Sequence, residues 1–345
     1  MRLRDLLTGS PRRMMMAGLL LALALPGRIN AVPLALKVTG PEACAECHVE
    51  EIEAWKQTKH RKTFNELPRR KETADMLLRL GLTNMKTERS CLECHFLGKI
   101  IDDEYQTVAG ISCESCHGAA RDWTKTHGDY GKGITKATES AEHREARRTQ
   151  AVASGMIGPG SLYALGSACY GCHIVTDEKI TNVGGHPPGS AGFNLLTWSQ
   201  GEVRHTILHT GNKANPEATP ERRRELFVIG CILEVEFCFR AVAGATTRAN
   251  FGVTQARRAD AARQRLEKIQ ALAPTPELAE IVSIARATGL RLNNAAALLA
   301  AAEKIAGLGH TFAARVTGAQ LAGIDALLPG PELYKGKPYQ VGGAP

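Results

Sequence analysis

Read for its alternation of apolar and polar positions, the chain divides into three stretches of different character. Met14 to Leu25 is an unbroken apolar run, relieved only by Gly18 and closed by Pro26-Gly27. Arg2, Arg4, Arg12 and Arg13 precede it. It falls short of the roughly 18 residues a membrane span needs. A basic start, a short apolar core and small residues around Ala31 or Ala35 make residues 1–31 an export signal, with an uncleaved anchor as the alternative. From 32 to about 215 little periodicity is sustained. Val49 to Lys59 is helix-like, with Ile52 and Trp55 three apart, and Met76 to Leu82 forms an amphipathic segment. Ser140 to Ala153 predicts a charged surface helix. From 216 to 345 the pattern turns helical. Thr219-Pro220 opens a helix with Leu226, Ile229, Leu233 and Phe237 on one face, and 254–272 continues in the same style. Thr275 caps a helix with Pro276 at its first position and Glu277 just inside, ending at Gly289. Asn294 to Ala306 is a further Ala-rich helix, stopped by Gly307. These elements predict a helical bundle.

Composition changes the picture of the middle stretch. Aromatic residues are 5% of the chain, a low figure that fits a core filled partly by something other than side chains. The net charge is +8, but five arginines lie in the first 31 residues against Asp5 alone. The remainder is mildly basic and lacks a basic cluster with interleaved aromatics, so nucleic acid is not an expected partner.

Eight of the ten cysteines fall into one pattern, Cys-x-x-Cys-His: Cys44-Cys47-His48, Cys91-Cys94-His95, Cys113-Cys116-His117 and Cys169-Cys172-His173. One chance match is expected on the order of 0.01 times at this Cys and His content. Two thiols at this spacing can add across the vinyl groups of a haem, and the adjacent histidine becomes the proximal iron ligand. Disulfide pairs, zinc sites and thioredoxin-like pairs each leave the four identically placed histidines unexplained. Four covalent haems c are expected. Cys231 and Cys238, seven residues apart on one helix, are too distant to pair with each other and read as buried thiols.

Seven histidines remain: His60, His127, His143, His186, His205, His209 and His310. Beyond the signal only Met76, Met85 and Met156 could serve as methionine ligands. The surplus of histidine predicts iron held mostly between two imidazoles. His60, His127, His186 and His205 are the candidate distal ligands. His205 and His209, four apart, are expected on one helix face. His143 reads as solvated and His310 as structural.

The order and spacing of these features resemble the tetrahaem cytochrome c-554 family over residues of about 40–210. The first motif is followed by Trp55, Lys56 and His60. The second and third motifs are close together. The third reads Cys113-Glu114-Ser115-Cys116-His117-Gly118 and is followed by His127, and the fourth comes after a long charged insert. The resemblance implies a mainly α fold of short helices and loops around four haems. It implies His127 opposite His48, and His60 opposite His117. A later histidine, His186 or His205 with His209 behind them, would serve the fourth haem, and the second haem would be five-coordinate. It also implies electron transfer from a hydroxylamine oxidoreductase-like donor toward a quinone-linked or oxidase partner.

Two functions are expected to compete. One is a periplasmic electron carrier in a respiratory chain. The other is a small nitrogen-oxide or hydroxylamine redox enzyme using an open second haem at Cys91-Cys94-His95. The C-terminal region carries no catalytic constellation and is a candidate docking module.

Overall fold

The computed structural model describes residues 35–342 apart from 191; the expected export signal lies outside the described residues. The fold is mainly α. In chain order the helices of the first part are α1 Glu42–Ala45, α2 Val49–Gln57, α3 Lys59–Glu66, α4 Lys71–Leu80, α5 Arg89–His95, α6 Cys113–His117, α7 Thr124–Gly128, α8 Ala141–Ala153, α9 Leu162–His173, α10 Glu178–Asn182 and α11 Leu195–Ser199. Between α5 and α6 lies an antiparallel hairpin, β1 Leu97–Ile101 and β2 Glu104–Ala109, with Ile101 opposite Glu104. Its turn is Asp102-Asp103, both at positive φ, the left-handed conformation a tight hairpin turn requires and that Asp tolerates.

The predicted helix over 49–59 is broken at Thr58. That residue leaves helical geometry at ψ 156, its hydroxyl donates to Trp55 O at 2.7 Å, and it accepts from Arg61 N at 3.2 Å. It therefore ends α2 and caps α3, turning the chain just before His60. The 76–82 segment is instead the end of α4, which stops at Gly81 (φ 71) with Leu82 N bonded to Leu77 O at 2.8 Å. Ser140 caps α8 as its position implies, although Arg147 and Ala151 of that helix are buried.

The C-terminal part is a bundle of α12 Pro220–Ala243, α13 Asn250–Leu272, α14 Pro276–Ala287 and α15 Ala295–Arg315, followed by a 3-10 stretch Gly318–Leu327. Thr219 and Thr275 cap α12 and α14 through bonds of 3.2 Å to Arg222 N and Leu278 N. α12 is buried on every side from Leu226 to Phe239, which makes it the central helix rather than an amphipathic one. α9, α11, α13 and α15 pack on it. α15 does not stop at Gly307 but runs to Arg315. Gly309 inside it permits close packing: a Cβ there would stand 2.2 Å from the Tyr163 ring on α9. The bundle core is continuous with Leu162, Tyr163, Tyr170, Phe193 and Leu196, so the helix bearing the fourth Cys-x-x-Cys-His is part of it. Among the described residues no helix is long and apolar enough to cross a membrane.

Candidate haem sites

Each Cys-x-x-Cys-His motif lies on a helix or at its end: α1 and the following turn, then α5, α6 and the last turn of α9. Residues i, i+3 and i+4 share a helix face, so in α5, α6 and α9 both sulfurs and the imidazole of the motif project to the same side. No disulfide joins any of the ten cysteines. Among the described residues no group of three or more His, Cys, Asp or Glu converges as a metal cage.

What converges instead is histidines in pairs. His48 stacks with His127 at 6.1 Å between ring centres and 12° between planes. His95 stands 6.1 Å from His186, His117 6.2 Å from His205, and His173 6.2 Å from His60. Each pair joins one motif histidine to one from elsewhere in the chain. An imidazole nitrogen sits about 2 Å from the metal it ligates, and the ring centre about 1 Å further, so two imidazoles on opposite faces of one iron have centres about 6 Å apart. The four separations fit an iron porphyrin between the rings.

The hydrogen bonds fix the tautomers that such ligation needs. His117 Nδ1 bonds Ile157 O at 2.8 Å, His186 Nδ1 bonds Pro187 O at 2.7 Å and His205 Nδ1 bonds Val203 O at 2.7 Å. A carbonyl only accepts, so Nδ1 carries the proton and Nε2 keeps its lone pair for a metal. The two central motifs are clamped at both ends of the residue: Ile157 N donates to His117 O, while Ser190 donates its N–H to His173 O and bonds His173 Nδ1 through its hydroxyl at 2.6 Å. Burial pushes His95 down to about 4 and His173 down to about 3, which keeps both neutral, the form a metal binds. His48 differs. The Glu51 carboxylate, 3.7 Å from its Nδ1, raises it.

The motifs also touch one another. The Cys113 thiol lies beside Cys44 and, with burial, pushes it up. Cys94 bonds Cys172. α9 packs on both α5 and α6. In space the motifs therefore run first, third, fourth, second.

Two pairings depart from the expected ones. His60 faces His173, not His117. Thr58 turns α3 toward α5, where Thr63 Oγ1 reaches His95 O at 3.3 Å. The partner of His117 is His205, brought over from beyond α11. The second motif does not stand open, because His186 faces His95. His205 and His209 share no helix: His205 precedes a 3-10 turn at Ile207–Thr210, and His209 is exposed and faces none of the paired imidazoles. His143 bonds the buried Glu139 at 2.8 Å, and His310 lies 4.6 Å from the Tyr163 ring.

Residues 43–118, which hold the first three motifs, match the family model described as cytochrome c554 and c-prime. Over this region the chain is similar to the cytochrome c-554 family. A curated relative, the cytochrome c-554 of Nitrosomonas europaea, is 25% identical over 143 residues, 39% of this chain and 57% of the relative. The chain thus spans little more than half the length of the curated relative it matches. No solved structure gives a significant match. The likeness to the cytochrome c-554 family implies haem c as the cofactor. The bundle, α12 to α15, lies outside the stretch that the family model covers.

Sequence reasoning missed the residues that orient the paired histidines: Ile157, Ser190 and Glu51. They stand 40, 17 and 3 residues from the histidines they orient. Only Glu51, three residues after His48, had a local signal.

Proposed function

We propose that this chain is a periplasmic c-type cytochrome that carries electrons through four haems, each iron held between two histidines. The observation that carries the reading is the set of four imidazole pairs at 6.1–6.2 Å, one member of each from a Cys-x-x-Cys-His motif. A haem so bound supplies a one-electron Fe(III)/Fe(II) couple whose coordination does not change. The protein's part is to hold imidazoles rigid: Ile157 and Val203 orient His117 and His205, Ser190 orients His173 and Pro187 orients His186. It also sets the motifs in touching order from first to second. The apolar run Met14–Leu25 with its basic start supports export. The partners would be a donor, of hydroxylamine oxidoreductase type, and a quinone-linked acceptor.

The enzyme reading needs one iron face without a ligand, and its best candidate was the second motif. His186 opposite His95 weighs against it. The test is electron paramagnetic resonance with redox titration of the purified holoprotein. Four low-spin signals, unmoved by cyanide or nitric oxide, are expected. His186→Ala should convert one signal to high spin and admit cyanide. A high-spin, cyanide-binding iron in the unmodified protein would sink the carrier reading.

A further inference from the structure

A cleft of about 530 Å³ lies between the segments Pro187–Ser190 and Gly192–Asn194 on one side and helix α13 on the other, within the size range of small-ligand sites. None of the four histidine pairs lines it. Arg257, Arg258 and Arg265 do, against a single acid, Glu234. That carboxylate is buried and already shared: Arg258 Nε donates to Oε1 at 2.9 Å and Arg265 Nη2 to Oε2 at 2.8 Å. Two positive charges are left over. Arg258 Nη2 and Arg265 Nε are buried with no hydrogen-bond partner, a state that native structures rarely leave uncompensated. Arg257 is exposed and makes no ion pair among the described residues. A second cleft shares Gly192, Asn194 and Arg265 with the first and adds Lys335, so the excess of positive charge continues along the groove.

We propose that this cleft is an anion site that takes a carboxylate. Guanidinium groups bind carboxylates through paired N–H bonds. Phe193 and the two prolines supply an apolar wall suited to the carbon part of such a ligand rather than to a fully hydrated inorganic anion. The cleft adjoins the fourth motif: Arg258 Nη1 donates to His173 O at 3.3 Å, and Phe193 stacks on the His173 ring at 4.1 Å. The carboxylate has two possible sources, a propionate of a haem at the fourth site or a free dicarboxylate. Only the first rests on the haem reading above.

The experiment titrates the holoprotein with succinate by calorimetry at ionic strength held constant with chloride. In parallel, it compares the haem signals of the unmodified protein with those of the double variant Arg257→Gln/Arg265→Gln. Glu234 keeps Arg258 in that variant, so no buried carboxylate is stranded. A free ligand gives binding heat that weakens roughly tenfold or more in the variant. A propionate gives no heat, but the variant lowers the potential of one haem and shifts its resonance while the other three stay. Arg257→Gln alone, at an exposed position, repeats either outcome in smaller measure should the double variant not fold. No heat together with unmoved haem signals overturns the proposal, and so does heat that the variants leave unchanged. Absence of haem by pyridine haemochrome would remove the carrier reading yet leave the calorimetric arm standing.

Discussion

In the bundle, Val228, Ile232, Leu233, Val235 and Phe239 of α12 are wholly buried and join one continuous core with Phe251, Leu266, Ile281, Ile305 and Phe312. Between residues 35 and 157 the buried apolar side chains gather instead in small groups such as Val38, Leu97 and Ala109, or Ala120, Trp123 and Ala151. Burying a large apolar side chain contributes roughly 1.5–3 kcal/mol, and the first part has few to bury. Its imidazole pairs, each spaced for a porphyrin, mark where its core material would lie. One part of the molecule is built on side chains, and the other, on the proposed reading, is built around a prosthetic group.

The largest expected effect separates the two directly. With all eight motif cysteines replaced by serine, residues 35–157 are expected to lose protection from hydrogen exchange, while amides of α12 and α15 stay protected. Equal protection in both parts would end the comparison. Next, Leu233→Ala, at the centre of the bundle, should lower stability by about 2–5 kcal/mol in denaturant titration, with the spectrum of the first site unchanged. Gly309→Ala is a smaller change. Its Cβ meets the Tyr163 ring, and the loss should be about 1–3 kcal/mol; no loss would mean that α9 and α15 are not held so closely.

The smallest effect is one of pH and belongs to the first part. Glu139 is almost wholly buried, and Arg147, which bonds it at 2.7 Å and also reaches His127 O, holds its carboxyl down to about 2. A depressed folded pKa stabilises above the unfolded value, near 4.5, and the contribution is lost as pH falls through about 2. Glu139→Gln should flatten acid unfolding over that window, with His127 the ligand most disturbed. An unaltered acid limb would show that the pair does not support the first site.

The legible parts of the sequence were those whose signal is local. Four Cys-x-x-Cys-His motifs, the Thr-Pro caps of α12 and α14 and the apolar content of the bundle are each written within a few residues. The pairing of His60 was not, because its direction depends on Thr58 breaking a helix-like run and on the packing of α3 against α5. The spacing of His60 from His48 carries no information about His173. The hairpin escaped notice because its turn is Asp-Asp without glycine, and its strands, Leu97–Ile101 and Glu104–Ala109, are short. Gly307 read as a stop because a lone sequence cannot distinguish a terminating glycine from one lying inside a helix.

The histidine pairs have a consequence for the denatured chain. Their members lie far apart along the polypeptide, by roughly 80 to 110 residues. On the proposed reading iron joins each pair and closes a long loop, and the four loops overlap. A covalent link spanning a loop of that length removes about 4–5 kcal/mol of unfolded-state entropy in the chain-closure picture. Iron–nitrogen bonds would act in the same sense for as long as they persist. The holoprotein would then resist unfolding less through the contacts it makes than through the disorder its ligands deny it.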